Sequence, residues 1–399
     1  MTTDGLFAKE NFPLLNKNPD LAFFDNASST QIHRSVLDSM NDYYVNYRAN
    51  PGRGSYPLSI KAGNAINIAK EQVAEFMKVD TSQILFTTGA TQGLNWVANW
   101  CSTTPNVFIT DMEHNSNLIP WLSQRRQQGK GLEVIAIDPD GNVDYNVVKA
   151  AFSRHNGGVL SISVTSNLTG ININWKLLVT LAKTYNMAVC LDMCQGFTFF
   201  LEGDEEAFKL VDFATLSGHK MYGPNGVGVL YAKDAKTLPP MYGGGGMVTH
   251  ANYEGYTLAD VHEKHQAGTS NVAGIIGMGV SCELLSYYGT AYHDDIDEIT
   301  EHLKVLGLFD IPEIQLLGKQ KASGNIYSFN SKFFDMSDMA EMLADANIAV
   351  RCGQMCAYPY AQKINGDNCI LRISTSPYNT YEDCKKLVTQ IKKSVNRLT

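Results

Sequence analysis

Charged residues are scarce in this chain, 18% of 399, and the formal charge is −8. No Lys/Arg run and no C2H2 spacing accompanies that balance, so no basic face is expected and nucleic acid is excluded as a general partner. No apolar run approaches the ~20 residues that span a bilayer, and no membrane partner is expected. The opening Met1-Thr2-Thr3-Asp4-Gly5 has neither the basic nor the apolar region of a secretory signal, which points to the cytoplasm. Eight cysteines stand at 101, 190, 194, 282, 352, 356, 369 and 384 without a C-x2-C pair, which argues against a zinc knuckle and leaves no metal site expected. Most of them read as buried free thiols. Internal repeats and low-complexity tracts are absent too.

What the chain does have is apolar content, 44%, ample for a large core. Apolar runs at 21–24, 84–87, 107–110, 133–137, 159–164, 188–191, 213–216 and 227–231 read as strands. Helical spacing at 60–77, 93–100 and 175–185 separates several of them, and 272–288 follows as a further helix. Such alternation predicts an α/β fold with a large, mainly parallel sheet covered by helices on both faces. From about residue 292 the texture changes. Helices at 293–307, 337–346 and 380–397 mix with strands at 314–317, 325–329, 348–350 and 369–373, as in a smaller α+β domain. The expected division is a large domain over 21–279 and a small one formed by both termini, 1–20 and 280–399. Residues 349–359 read as a loop between two small-domain strands, and 241–247, with four consecutive glycines but no Gly-Lys-Ser/Thr, as a flexible loop.

Ligands of such sheets sit off the carboxyl ends of the strands. His114, Asn167, Asp192, Gln195 and Lys220 all fall just beyond predicted strands. Lys220 closes the turn Ser217-Gly218-His219-Lys220. A lysine there can pair with a carboxylate, grip a phosphate or form a Schiff base with a carbonyl cofactor. An isolated lysine in a turn is ordinarily a surface residue, so its neighbours must decide. Thr88-Gly89-Ala90-Thr91-Gln92 joins a strand to a helix start, where free N–H groups and the helix dipole favour an anion. An ordinary strand-to-helix turn would look the same.

The motifs together resemble the pyridoxal phosphate (PLP) dependent class V aminotransferases of fold type I. Most closely they resemble the group II cysteine desulfurases, which include selenocysteine lyase-like proteins. The resemblance runs from about Phe24 to Leu398. It is carried by Ser217-Gly218-His219-Lys220-Met221-Tyr222-Gly223-Pro224, Glu113-His114-Asn115-Ser116-Asn117 with Pro120-Trp121, Leu191-Asp192 with Gln195, Ala267-Gly268-Thr269 and Tyr378-Asn379-Thr380.

The resemblance implies a role for each residue. Lys220 would carry PLP as a Schiff base and remove the substrate Cα proton. Asp192 would keep the ring nitrogen protonated, Gln195 would hydrogen-bond the ring oxygen, and His114 would stack on the ring and move protons. Ala90, Thr91, Ser217 and His219 would hold the phosphate, joined by Thr269 from the second subunit of a homodimer. Asn167 and Arg372 would bind the substrate carboxylate, with Arg351 and Arg53 nearby. Cys356 would attack the sulfur of L-cysteine, becoming a persulfide that a protein acceptor could take, with L-alanine released. Three places depart from the family pattern, one of them Gln266 where a Glu usually precedes Ala-Gly-Thr. Gly353-Gln354-Met355-Cys356 stands where Gly-His-His-Cys is usual, and Gly52-Arg53-Gly54-Ser55-Tyr56 where His-Arg-Gly-x-His is usual. The cofactor residues are intact while the substrate-side shell is altered. Another class V enzyme, a different C–S or C–Se lyase, an epimerase or an aminotransferase, therefore stays open as the alternative.

Overall fold

The computed structural model describes residues 5–52, 54–155, 157–202, 206–318 and 325–399. A seven-stranded sheet has the spatial order Ile84–Thr87, Gly228–Ala232, Phe213–Ser217, Met187–Asp192, Gly158–Ser163, Val107–Thr110 and Glu133–Ile135. The last five strands are mutually parallel, and Gly228–Ala232 runs antiparallel to both of its neighbours. The fold is therefore α/β with a mainly parallel central sheet, as expected.

The strands are apolar throughout because both faces of the sheet are covered. Phe108, Leu160, Val189, Leu191 and Val229 point into one core. Their chain neighbours Ile109, Val159, Cys190 and Leu230 point into another on the opposite face. This is the two-residue alternation of a pleated strand, with no polar side. The helix Val272–Tyr288 is apolar around most of its surface and packs against Arg34–Asn46 and Pro57–Met77. A Cβ at Gly279 would lie 2.6 Å from the Ala69 Cα, so glycine is what lets these helices approach so closely. No single described helix is long and apolar enough to cross a membrane.

A smaller antiparallel sheet has the order Gln315–Leu316, Ile326–Asn330, Ile370–Ser374, Arg351–Gly353. Tyr327, Phe329, Leu371 and Ile373 pack there on Leu303, Leu387 and Ile391. Residues 351–353 are thus a strand rather than loop, paired to Ile370–Ser374 with Arg351 opposite Arg372. The short strand Ala22–Phe23 pairs in parallel with Ile348–Ala349.

The cores divide the chain differently from the expected boundary at residue 20. Phe7, Phe12 and Leu15 belong to the larger core, whereas Ala22 and Phe24 belong to the smaller. The cause is aromatic packing. Phe7 stacks on Tyr288 with centroids 4.4 Å apart, and Phe12 meets the edge of Tyr378 at 4.6 Å. A hairpin of Val248–Ala251 and Tyr256–Leu258 stands largely exposed beyond the glycine-rich 241–247 segment. Cys352 and Cys369 are joined in a disulfide with Cα atoms 6.3 Å apart, and the other six cysteines are free.

Candidate active site

The carboxyl ends of the parallel strands and the edge of the smaller sheet enclose a cavity of about 280 Å³. Lys220 and His219 line it from the 3-10 turn Gly218–Lys220 that follows the strand ending at Ser217. Residues 29 and 30 brace this turn. The Thr30 N–H donates to the His219 carbonyl at 2.8 Å, and the Ser29 hydroxyl donates to the same oxygen at 3.2 Å. The Lys220 ammonium makes no hydrogen bond or ion pair with any described residue. Asp192 is the last residue of its strand, one earlier than its expected place just beyond the end, and is 6% exposed. One of its carboxylate oxygens accepts from the Cys194 N–H at 3.0 Å, and no described cation pairs with it.

The helix Ala90–Trp100 begins three residues before the expected start, at a glycine that supplies no side-chain cap. Its first N–H, that of Ala90, donates to the Ser217 hydroxyl at 2.9 Å. A Cβ on Gly228 would lie 2.6 Å from the Gly89 Cα, so the bare backbones bring the helix N-terminus down onto the sheet. Thr91 is exposed in the same mouth, and its hydroxyl bonds the Ser116 hydroxyl at 2.8 Å. Ser116, Ser28, Ala27, Cys194 and Met355 also line the cavity, and none of them was given a role of its own from the sequence.

His114 caps the helix Asn115–Gln127, its Nδ1 accepting from the Ser116 N–H at 3.0 Å. The proton of the neutral ring therefore sits on Nε2. Burial and the Lys220 ammonium push His114 down to about 4, so the ring is neutral at ordinary pH. Burial and Lys220 lower His219 as well. Glu113, the residue before His114, is buried and fixes that segment. It accepts from the Asn117 amide at 2.7 Å, from the Ser163 hydroxyl at 2.7 Å and from the Thr110 hydroxyl, linking the ends of two strands to the start of the helix.

The smaller sheet supplies the opposite wall. Arg372 is 2% exposed, and burial pushes its guanidinium down to about 10 despite the neighbouring Asp25. It donates to the Asn167 carbonyl at 2.7 Å, to the Ser28 hydroxyl at 2.6 Å and to Asp25 at 3.3 Å. Arg351 donates to the same Asp25 through Nε at 3.2 Å and Nη2 at 3.0 Å. Asn167 gives one of its amide hydrogens to the Met355 carbonyl at 2.6 Å. Cys356 is exposed in the cavity. Met355 and Cys356 both lie in the left-handed region, with φ of 52° and 55°. Such a conformation costs each non-glycine residue roughly 1–3 kcal/mol. Two contacts from the larger sheet's side hold it: the Asn167 amide on the Met355 carbonyl, and the Asn115 N–H on the Cys356 carbonyl at 2.7 Å.

Ala90, Thr91, His114, Asn167, Asp192, Ser217, His219 and Lys220 thus meet Arg351, Cys356 and Arg372 around one cavity. Gln195 stands just behind it, its amide donating to the Ala27 carbonyl at 2.7 Å. Gln195 itself does not line the cavity. Thr269 lies elsewhere, exposed on the loop before Val272–Tyr288. Arg53 lies outside the described residues.

The donor set fits PLP. An ammonium and a buried carboxylate that have no ionic partner among the described residues, with a helix N-terminus beside two hydroxyls, match its aldehyde, its ring nitrogen and its phosphate.

The class V aminotransferase family model matches residues 22–387. A cysteine desulfurase of Escherichia coli O9:H4 (strain HS) is 31% identical over 402 residues, covering 98% of each chain. The apo structure of cysteine desulfurase from Thermococcus onnurineus NA1 superposes with a TM-score of 0.90 at 27% identity, over 98% of each chain. The Escherichia coli cysteine desulfurase CsdA, in an S-sulfonic acid form, gives 0.87 at 26% identity over 100% of each. The chain belongs to the class V aminotransferase family, and it groups there with the cysteine desulfurases.

Proposed function

We propose that the protein is a PLP-dependent cysteine desulfurase that converts L-cysteine to L-alanine and leaves the sulfur as a persulfide on Cys356. The observation that carries this reading is the meeting of Cys356 with Lys220, Asp192 and His114 around one cavity. Lys220 would hold the cofactor covalently, with Asp192 at its ring nitrogen and the Ala90–Trp100 N-terminus, Thr91, Ser217 and His219 at its phosphate. When bound, PLP supplies an electron sink for the pair left at Cα.

The chain's own residues do the rest. Arg372 anchors the α-carboxylate. Lys220, as the free amine, takes the Cα proton. Neutral His114 lines the cavity with its proton on Nε2 as a donor, and its low basicity keeps the ring from taking up a second proton. Cys356, as thiolate, attacks the substrate sulfur. The new S–S bond forms as the Cβ–S bond breaks, its electron pair stays with the carbon skeleton, and one proton at Cβ and the return of the Cα proton from Lys220 complete alanine. The exposed Cys356 can then pass sulfur to an acceptor.

A panel of amino acids incubated with the holoenzyme tests this reading. L-Cysteine should give equal amounts of alanine and transferable sulfur. A keto acid with an aminated cofactor would favour the aminotransferase alternative, which the exchange of two histidines for Gln354 and Met355 keeps in view. Arg372→Lys should raise KM for L-cysteine roughly tenfold to a hundredfold, since an ammonium cannot reproduce the planar fork. Steady-state kinetics would show this, and unchanged kinetics would place the carboxylate elsewhere.

The second part of the proposal is a homodimer in which Thr269 completes the partner's phosphate site. Its exposure, away from the chain's own cavity, supports that reading. Thr269→Ala should release PLP roughly ten times more readily, the effect of one hydrogen bond to a charged group. Dialysis followed by cofactor absorbance measures it. A monomer with full cofactor occupancy would count against the assignment.

A further inference from the structure

Thr215 is fully buried in the central sheet, and its hydroxyl has no hydrogen-bond partner among the described residues. A hydroxyl shut away in this manner costs free energy that an apolar side chain of the same shape would not. Its surroundings supply a reason to keep it. Thr215 lies on the strand Phe213–Ser217, in register with Asp192 on the neighbouring parallel strand Met187–Asp192. The pair two positions earlier, Cys190 and Phe213, sits in the core on one face of the sheet, so Asp192 and Thr215 follow on that same face. The helix Ala90–Trp100 covers Thr215 there, and a Cβ on Gly93 would lie 2.8 Å from the threonine methyl. The flanking strands offer no other partner. Beyond Thr215 the register position is Leu230, which is apolar. Beyond Asp192 it is Ser163, whose hydroxyl is already given to Glu113 at 2.7 Å. Asp192 takes the Cys194 N–H at 3.0 Å, and no described hydroxyl donates to it.

We infer that Thr215 is a positioning residue for the cofactor, its hydroxyl reserved for the Asp192 carboxylate when the ring nitrogen lies against it. Neighbouring strands stand about 4.8 Å apart, which puts side chains in register on one face within reach of a hydrogen bond. Asp192 would keep the ring nitrogen protonated, and it does so only while its own negative charge is stabilised. A donated hydroxyl favours the ionised carboxylate. Without that donor the proton moves from the ring nitrogen toward the carboxylate, and the electron sink weakens. Asp192 is buried, so solvent offers little in place of the hydroxyl. The inference rests on the desulfurase reading only for the cofactor which that reading requires.

The test sets Thr215→Val, which keeps the shape and removes the hydroxyl, beside Thr215→Ser, which keeps the hydroxyl. As apoprotein, Thr215→Val should melt no lower than wild type, since it removes a buried group that bonds to nothing. Once loaded with PLP it should release the cofactor roughly tenfold more readily, the effect of one hydrogen bond to a charged group. NMR of PLP labelled at the ring nitrogen should find that nitrogen moved toward its unprotonated form. Thr215→Ser should return both readings to those of wild type. A Thr215→Val apoprotein of lower stability, with the nitrogen signal unmoved, would show a hydroxyl that serves the fold alone and would overturn the inference. Wild-type cofactor release with an unmoved signal would overturn it as well. Should Thr215→Val fail to fold, Thr215→Ala lacks the same hydroxyl and gives the same cofactor readings. Alanine formation from L-cysteine, measured separately, reports on the desulfurase reading, so the two can fail independently.

Discussion

Cys356→Ala should still bind PLP and L-cysteine, yet release alanine on the order of a thousandfold more slowly or not at all, the scale of loss when a covalent nucleophile is removed. The expectation comes from how the residue is held. The Cys356 carbonyl is fixed by the Asn115 N–H, and the Met355 carbonyl by the Asn167 amide. Both contacts are to backbone oxygens, so truncation at Cβ leaves the loop in place and removes the sulfur alone. Cys356 is the exposed member of the free cysteines, while Cys190, Cys194, Cys282 and Cys384 are buried and burial raises their thiols. Thiolate is the nucleophile, and a buried neutral thiol cannot replace it. Mass spectrometry of tryptic peptides, after wild-type protein meets L-cysteine without reductant, should find the extra sulfur on Cys356. Cys352 should carry none, its sulfur being bonded to Cys369. Wild-type alanine output from Cys356→Ala would remove the desulfurase reading and leave another reaction on the same scaffold.

Lys220→Ala should abolish turnover, with proton transfer alone accounting for roughly a hundredfold to ten-thousandfold. It should also abolish covalent retention of the cofactor. Borohydride reduction of wild type should fix the pyridoxyl group on the peptide containing Lys220, and the variant should lose its cofactor on denaturation. Lys70 provides the internal comparison. Burial pushes its ammonium down to about 7, so much of it is neutral amine at ordinary pH. It lies on the helix Pro57–Met77, outside the cavity. A label on Lys70 would overturn the assignment of Lys220.

The central sheet was legible because strands covered on both faces are nearly unbroken apolar runs, and 84–87 and 107–110 match residue for residue. Lys220, Asp192 and His114 were legible for a related reason: polar residues that end an apolar run in such a sheet have few places to go but the ligand crevice. The start of Ala90–Trp100 was not, because polar Thr91 and Gln92 fill its first turn and Gly89 reads as loop. The strand Arg351–Gly353 was hidden by its length and by a charged residue and a glycine within it. Asp25 was invisible as the partner of the two arginines at the cavity. Its partners Arg351 and Arg372 lie 326 and 347 positions away, and an aspartate after a short strand looks like any turn residue. The Cys352–Cys369 pairing was equally closed to inspection, since it depends on which strands are neighbours.

The strand Ala22–Phe23, paired with Ile348–Ala349, has a consequence for synthesis. Domains that emerge early from the ribosome generally fold early. The large sheet draws its strands from 84 to 232 and can close once that stretch has emerged. Residues 22–25 cannot find their partners until 348–374 have been made. Through that interval the nascent chain holds the Lys220 end of the cavity with no wall opposite it. The reactive thiol and the arginines join last, so a protein interrupted during translation would present a cofactor cradle that cannot select or desulfurate its substrate.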